Sequence, residues 1–105
     1  MIAFETKQLI QEQADGDDLY LEFLRKPSLS MGLYVLKAGS VDPQSPHTED
    51  EVYVVLNGSG QISVDGEDRL VEKGSIVFVA KQIKHHFHSI EDDLQILVFF
   101  APAES

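Results

Sequence analysis

Two glycine-bounded stretches determine the fold prediction for this chain: residues 39–58, GSVDPQSPHTEDEVYVVLNG, and residues 74–89, GSIVFVAKQIKHHFHS. Both are rich in the β-branched and aromatic residues that favour strands. Each also contains side chains that bind metal ions in many proteins, with His47 and Glu51 in the first stretch and His85 in the second. Together they predict a strand-rich fold that carries a metal site.

Short apolar runs separated by turn signals continue on both sides of these stretches. Lys26-Pro27-Ser28 breaks the first two runs apart, and Asp65-Gly66 suits the tight turn of a β-hairpin. We interpret Gly58-Ser59-Gly60 and the acidic residues 91–93 as further turns. The predicted strands are Leu19–Leu24, Met31–Leu36, Val52–Leu56, Gln61–Val64, Arg69–Glu72, Ile76–Val79, His85–Ile90 and Leu94–Phe100.

Helix-forming composition is confined to residues 6–13, TKQLIQEQ, a segment too short to form a stable helix without packing. Many short strands with no repeat or linker between them predict one all-β domain over residues 1–105. A sandwich or barrel is the expected architecture, because closure of the sheet removes exposed strand edges.

Composition limits the partners and the compartment. Eighteen acidic and eight basic residues give a net charge of −10, which repels nucleic acid and anionic membrane surfaces. The chain has no cysteine, so it cannot form a disulfide or a thiolate metal site. The first residues lack the pattern of a signal peptide, and no apolar run is long enough for a transmembrane helix. We therefore expect a cytoplasmic protein without nucleic-acid or membrane partners.

The spacing of His47 and Glu51 requires a bend in the chain. On one straight strand the two residues would lie roughly 13 Å apart, too far to share an ion. The polar residues 48–50 suit a turn, so His47 is predicted to end one strand and Glu51 to begin the next. Side-chain alternation then places Tyr53 on the same face as Glu51, where it would line an interior pocket.

The same alternation divides the histidines of the second stretch. His85 and Phe87 fall on one face of their strand, while His86 and His88 fall on the opposite face. Only one of these pairs can point into a barrel. We expect His85 and Phe87 to point inward, with His86 and His88 outward or at the rim.

The two stretches resemble the two signature motifs of the cupin family. The first motif is His-x-His, three or four residues, Glu, six residues and Gly, and His47, Glu51 and Gly58 fit it. Ser45 stands where the first histidine is expected. The second motif requires a glycine and a histidine at the positions of Gly74 and His85. Its usual Pro, Gly and Asn are replaced here by Ala80, Gln82 and Ser89.

This resemblance implies a double-stranded β-helix, the jelly-roll-like cupin barrel, with a divalent metal ion held by His47, Glu51 and His85. Fe, Mn, Ni, Co and Zn all suit two imidazoles and one carboxylate. Gln44 is the first choice for an additional ligand, while Ser45 and Asp42 are alternatives. The substrate pocket is expected to include Tyr53, Phe87 and Ser45.

The family includes enzymes and binding proteins, so the resemblance leaves three functions open. The first is a small metal-binding cupin that accepts a small-molecule ligand. The second is a metal-dependent enzyme of the dioxygenase, isomerase or decarboxylase type acting on a small polar or acidic substrate. The third is a metal-free barrel that binds a small molecule. The family also implies a homodimer.

Overall fold

The computed structural model describes residues 1–105 as one helix followed by six strands. Every strand pairs with its neighbours in the antiparallel sense. No helix is both long enough and apolar enough to cross a membrane. The elements are α1 (Thr6–Asp15), β1 (Tyr20–Lys26), β2 (Leu29–Leu36), β3 (Asp50–Val64), β4 (Glu67–Glu72), β5 (Ile76–Val79) and β6 (His85–Ala101).

The strands follow the order β1-β2-β6-β3-β4, and β5 pairs with the first part of β3. The two longest strands, β3 and β6, pair from Asp50 opposite Ala101 to Val64 opposite His85. Their register shifts three times between Val55 and Gln61. Such bulges increase bend and twist, so this ladder curves and the sheet folds over on itself.

The turns predicted at residues 58–60 and 91–93 are wrong, because both segments lie inside continuous strands. Gly58 has φ +95°, and a Cβ there would lie 2.1 Å from the Asp93 carbonyl oxygen. The glycine therefore allows two strongly bent strands to approach each other closely. Nearby, the Ser59 hydroxyl donates to the Asp92 carboxylate across the bulge. Turn-forming residues here produce a bend without interrupting the ladder.

The alternation predicted along β3 is confirmed. Glu51, Tyr53 and Val55 are buried, whereas Val52 and Val54 are only partly buried on the outer face. The inner face belongs to an apolar core of thirteen buried residues, all contributed by strands β2 to β6. Its members are Tyr34, Leu36, Tyr53, Val55, Ile62, Val71, Val79, Phe87, Ile90, Leu94, Ile96, Val98 and Phe100.

Helix α1 packs on part of the outer face of the sheet. Its Leu9 is 4% exposed and contacts Leu33 and Val35 of β2 in a second apolar cluster. The helix extends two residues beyond the predicted segment. Packing against β2 supplies the stabilisation that ten residues with weak capping lack on their own.

The hairpin predicted at Asp65-Gly66 is confirmed. These two residues join β3 to β4 with φ values of 51° and 83°. Two consecutive positive φ angles are the signature of the type I′ turn, which matches the twist of the flanking strands. The predicted break at residues 26–28 also falls at the turn between β1 and β2.

Candidate metal centre

Three predicted ligands meet inside the barrel. Their nitrogen and oxygen ligand atoms all lie within 4.8 Å of one another. Glu51 is the second residue of β3 and His85 is the first residue of β6, and the two side chains are almost fully buried. His47 comes from the irregular segment between β2 and β3, so the prediction that it ends a strand is wrong. The predicted bend after it is present at Thr48 and Glu49.

Barrel closure brings Glu51 and His85 together. Glu51 pairs with Phe100 at one end of the β3–β6 ladder, and His85 pairs with Val64 at the other end. A straight ladder of that length would separate them by roughly 40 Å. In the curved sheet Glu51 Oε1 lies 2.7 Å from His85 Nε2.

Gln44 adds a fourth atom to the cluster. Its Oε1 lies 3.2 Å from His47 Nε2 and 3.1 Å from His85 Nε2. The Tyr53 hydroxyl donates to the same oxygen at 3.0 Å. The Gln44 amide nitrogen donates to the Asp42 carboxylate at 2.5 Å, which orients the oxygen towards the imidazoles.

The hydrogen bonds around the two imidazoles define which ring nitrogens carry protons. His85 Nδ1 lies 2.8 Å from the Ile83 carbonyl, and His47 Nδ1 lies 3.2 Å from a carboxylate oxygen of Glu104. The Ile83 carbonyl is an acceptor, so His85 Nδ1 must donate, and the nearby Glu104 carboxylate favours the same tautomer in His47. A neutral ring then has a lone pair on Nε2. Both Nε2 atoms point towards the oxygen of Gln44, which is itself an acceptor.

The converging lone pairs are the chemical environment that a cation requires. The second carboxylate oxygen of Glu51, Oε2, is buried and has no hydrogen-bond partner, a costly condition for a charged group. Two imidazole nitrogens, a carboxylate and an amide oxygen are ligands that suit first-row divalent metals. The residues present therefore fit such an ion.

A proton can occupy the same position as a cation in the metal-free protein. Burial by itself lowers the pKa of His85, but hydrogen bonds to the Glu51 carboxylate and the Ile83 carbonyl raise it above its ordinary value. The Glu51 carboxylate lies 2.7 Å from Nε2 and favours a proton there. A positive charge next to His85 Nε2 is therefore favoured, whether a proton or a metal ion carries it.

A cavity of about 160 Å³ lies beside the cluster. Gln44, His47 and Glu51 form one side of it. The other walls are Tyr20, Tyr34, Tyr53, Val98, Phe100 and Glu104. Tyr53 therefore lines the cavity as predicted from alternation.

Two of the predicted pocket residues lie elsewhere. Ser45 is exposed and is not part of the cavity wall, because the chain turns its Gln44 neighbour inward instead. Phe87 is buried behind Tyr53, with ring centroids 4.9 Å apart, and supports the wall without lining it. His86 and His88 are on the outer face, and His88 pairs with Asp68 at 2.8 Å.

The family follows from a comparison with known protein families, in which the model described as Cupin domain matches residues 32–100. This match covers more than half of the chain. The chain belongs to the cupin family. The cluster and the cavity are therefore those of a cupin barrel.

Relatives and solved structures agree with this assignment. The cupin is 47% identical over its full length to Uncharacterized protein SCO3923 of Streptomyces coelicolor, covering 100% of both chains. An RmlC-like cupin with a double-stranded β-helix fold from Methanocaldococcus jannaschii superposes with TM-score 0.71 at 21% identity, over 79% of this chain and 78% of that one. KdgF from Halomonas gives TM-score 0.71 at 19% identity, over 79% and 76%. The predicted double-stranded β-helix is thus confirmed.

In this cupin the buried Asp42 carboxylate holds the segment that carries Gln44. It accepts hydrogen bonds from the Tyr34 hydroxyl at 2.5 Å and the Phe87 backbone N–H at 2.9 Å, besides the Gln44 amide. Asp42 was an alternative ligand in the sequence analysis. Its side chain instead fixes the position of Gln44. Gln44 directly precedes Ser45, which stands where the family motif has its first histidine.

Sequence reasoning missed Glu104 and Tyr20. Glu104 follows β6, and its backbone N–H donates to Ser30 while its carbonyl accepts from Arg25. These bonds place its carboxylate against His47, 57 residues away along the chain. Neither residue belongs to a local motif, so no signal in the sequence pointed to them.

Proposed function

We propose that this cupin binds a divalent transition-metal ion through His47, Glu51 and His85, with Gln44 as an additional oxygen ligand, and accepts a small molecule beside the ion. The observation that carries the proposal is the set of acceptor atoms that face one another in a buried position, with His85 Nδ1 bonded to the Ile83 carbonyl and His47 Nδ1 3.2 Å from the Glu104 carboxylate. The lone pairs of these acceptor atoms repel one another, and a cation between them would remove the repulsion. Four protein ligands would leave coordination positions for water or a small-molecule ligand.

Supporting residues around the proposed ligands have the arrangement seen at established metal sites. Metal-bound histidines commonly donate their second N–H to a carboxylate or a backbone carbonyl, which fixes the ring and its tautomer. Glu104 has this role for His47, and the Ile83 carbonyl has it for His85. When bound, a divalent ion would supply Lewis acidity towards an oxygen atom of the ligand. Iron, manganese, nickel, cobalt and zinc all suit the donor set.

Metal analysis of protein purified without a metal-binding tag tests the proposal. We expect about one ion per chain in the unmodified protein and a loss of metal in His85→Ala and Glu51→Gln. His88→Ala is the matched control, because His88 lies three residues along the same strand but points outward. Equal metal content in the three variants, or none in the unmodified protein, would refute the assignment.

An enzymatic role is the second candidate, and the cavity next to the proposed open coordination positions favours it. A binding protein would take up its ligand stoichiometrically and release it unchanged. Oxygen uptake and product formation by the iron-, manganese- and zinc-loaded forms distinguish the two roles. Turnover that disappears in His85→Ala but persists in His88→Ala would establish the enzyme.

We also infer that two copies pair through the part of the outer sheet face that α1 leaves uncovered. Ile76 and Phe78 of β5 are 64% and 61% exposed there, beside a groove of about 480 Å³ lined by Val52, Val54 and Phe99. Exposed apolar patches of this kind mark protein interfaces. A second copy of the chain presents the same patch, as an isologous dimer requires.

Light scattering coupled to size-exclusion chromatography tests the dimer. Phe78→Asp should yield monomers because it introduces a charge into the apolar patch. Leu70→Asp is the matched control, since Leu70 is 74% exposed on β4 and outside the groove. A monomeric unmodified protein would contradict the inference.

A further inference from the structure

The cavity beside the cluster has a negatively charged wall. It includes the carboxylates of Glu51 and Glu104 and no lysine or arginine. Glu51 is buried and its Oε2 has no hydrogen-bond partner, so water screens its charge only weakly. Glu104 Oε2 lies 3.2 Å from His47 Nδ1, and no lysine or arginine pairs with this carboxylate. The two charges therefore act on whatever occupies the cavity.

Charged groups just outside the wall do not offset these two carboxylates. Asp42 and Glu49 are further buried carboxylates that bond to neutral groups. Arg25 is nearby, but its guanidinium pairs with Glu22. A proton on His85 would offset only one of the negative charges. The region therefore stays negative in the metal-free protein, which favours a cation in the cavity over a neutral molecule or an anion.

Aromatic side chains form most of the remaining wall, namely Tyr20, Tyr34, Tyr53 and Phe100. The Tyr20 ring stands nearly perpendicular to those of Tyr34 and Phe100, with interplanar angles of 68° and 76°. Tyr20 contributes only its ring, because its hydroxyl is buried against Gly32. Rings set at such angles can surround a cation from several sides, and their negative faces attract it.

The cavity volume of about 160 Å³ limits the occupant to a small molecule. An apolar cavity of about 150 Å³ in another protein accommodates benzene, and a methylated ammonium ion is of similar size or smaller. Val98 and the ring carbons offer dispersion contacts to methyl groups on the nitrogen. An ion that carries its charge inside an apolar surface therefore matches both the size and the chemistry of the wall.

We propose that this cavity binds a small organic cation, an alkylated ammonium ion, against the carboxylate of Glu104 and the aromatic rings. Aromatic rings combined with negative charge are the means by which proteins recognise quaternary ammonium ligands. The inference goes beyond the proposed function, because this cation is an alternative occupant and not the small molecule beside the metal ion. A bound divalent ion would neutralise Glu51 and Glu104, so each of the two cations weakens binding of the other.

Three probes of similar shape test the charge preference: tetramethylammonium, the neutral tert-butanol and the anionic trimethylacetate. Titrations followed by ¹H–¹⁵N NMR measure the affinities and locate the site, first on the protein as purified and then after removal of metal with a chelator. In the chelator-treated protein we expect tetramethylammonium to bind at least about 10-fold more tightly than tert-butanol, and trimethylacetate to bind most weakly. Tighter binding of either of the other two probes would overturn the proposal.

A matched pair of charge variants tests the carboxylate. Glu104→Gln should weaken binding of tetramethylammonium by roughly 3- to 10-fold and leave binding of tert-butanol almost unchanged. Glu91→Gln is the control, because it removes the same charge from an exposed residue that does not line the cavity. Equal affinities for tetramethylammonium in the two variants would show that Glu104 does not hold the cation.

Replacement of one ring tests the aromatic part of the wall. Phe100→Leu keeps an apolar side chain but removes the ring, so it should weaken tetramethylammonium by roughly 3-fold or more while tert-butanol binds as before. Circular dichroism checks that the variant is folded. An equal loss for both probes would mean that Phe100 acts through packing alone, against the proposed recognition of charge.

Zinc titrations separate this inference from the proposed function. Bound zinc should weaken tetramethylammonium, and tetramethylammonium should weaken zinc by the same factor. A Glu104-dependent preference for tetramethylammonium in chelator-treated protein supports the ligand class even if no metal is ever found. Binding of tetramethylammonium that bound zinc leaves unchanged would place the organic cation outside the cavity and refute the ligand class, while the metal proposal keeps its own test.

Discussion

Each imidazole of the cluster has its Nδ1 beside an acceptor, the Ile83 carbonyl for His85 and the Glu104 carboxylate for His47, and this contact favours a lone pair on Nε2. The motif spacing was sufficient to predict His47, Glu51 and His85, and alternation along their strands placed Glu51 and His85 on the inner face. The choice of Gln44 came from its nearness to the missing histidine. Glu104 could not be predicted, because its contact with His47 depends on the path of the chain after β6. The roles of these residues as ligands stay a prediction.

Glu104→Gln should weaken metal binding by about 10- to 100-fold, the usual effect of losing an orienting carboxylate. The amide keeps the size of the side chain but can turn its nitrogen towards His47 Nδ1, which disfavours the required tautomer. Competition with a fluorescent zinc chelator measures the change. Glu22→Gln is the control, because Glu22 pairs with Arg25 and lies outside the cluster. Equal affinities in the two variants would show that Glu104 does not act on His47.

Metal affinity should rise with pH across neutrality, because a metal ion must displace the proton from His85 Nε2. Burial lowers the pKa of His85, but the Glu51 carboxylate and the Ile83 carbonyl raise it above the usual 6.5. The decline on acidification should therefore begin above pH 6.5. The free energy of unfolding of the metal-free protein should instead decrease as the pH rises. A group whose pKa is raised in the folded state loses its stabilising effect as the pH increases through that pKa. Zinc titrations and urea unfolding between pH 6 and 8.5 test both trends.

At the scale of elements, strand positions were largely predictable and bends were not. The eight predicted strands overlap all six observed ones, with β3 and β6 each predicted as two shorter strands, and Asp65-Gly66 identified the β3–β4 hairpin. The predicted turns at residues 58–60 and 91–93 were wrong, because glycine serves equally in a turn and in a bulge. Only the partner strand distinguishes the two, and residue 58 meets Asp93 across a long-range ladder. Helix α1 likewise depends on packing against β2.

Gly58→Ala should destabilise the protein more than Gly74→Ala, although the two glycines have nearly equal φ angles of +95° and +93°. A Cβ at Gly74 meets nothing within 4 Å, so this variant reports backbone strain alone, about 1–3 kcal/mol. At Gly58 the added Cβ would also collide with the Asp93 carbonyl, and we expect a loss above about 4 kcal/mol. Urea unfolding of both variants measures the difference. Similar losses would show that the strands separate easily at the bulge.

At the scale of the whole molecule, the barrel brings together residues from segments that are far apart in the chain. The all-β architecture and the cupin barrel were predicted from the spacing of strands and from the two motifs. The extent of the single domain, residues 1–105, stays a prediction beyond the matched residues 32–100. The cavity could not be predicted, because its walls come from four strands and from segments between and after them.

Saturation with metal should raise the thermal stability of the whole protein. An ion that binds only the folded state at 1,000 times its Kd adds about 4 kcal/mol to the free energy of unfolding. For a chain of this size, that corresponds to an increase in Tm of more than about 10 °C. Differential scanning calorimetry with zinc and with a chelator measures the shift. His85→Ala should show none, whereas a full shift in that variant would place the ion elsewhere.

Glu51 and His85 occupy opposite ends of the same β3–β6 ladder, and this arrangement has a kinetic consequence. The two side chains meet only when the curved β3–β6 ladder has closed, so we expect an ion to have little effect on the early steps of folding. Its effect would fall on the rate at which the closed barrel opens. Cells short of metal would then make this protein as quickly as before, but each molecule would survive for less time before proteolysis.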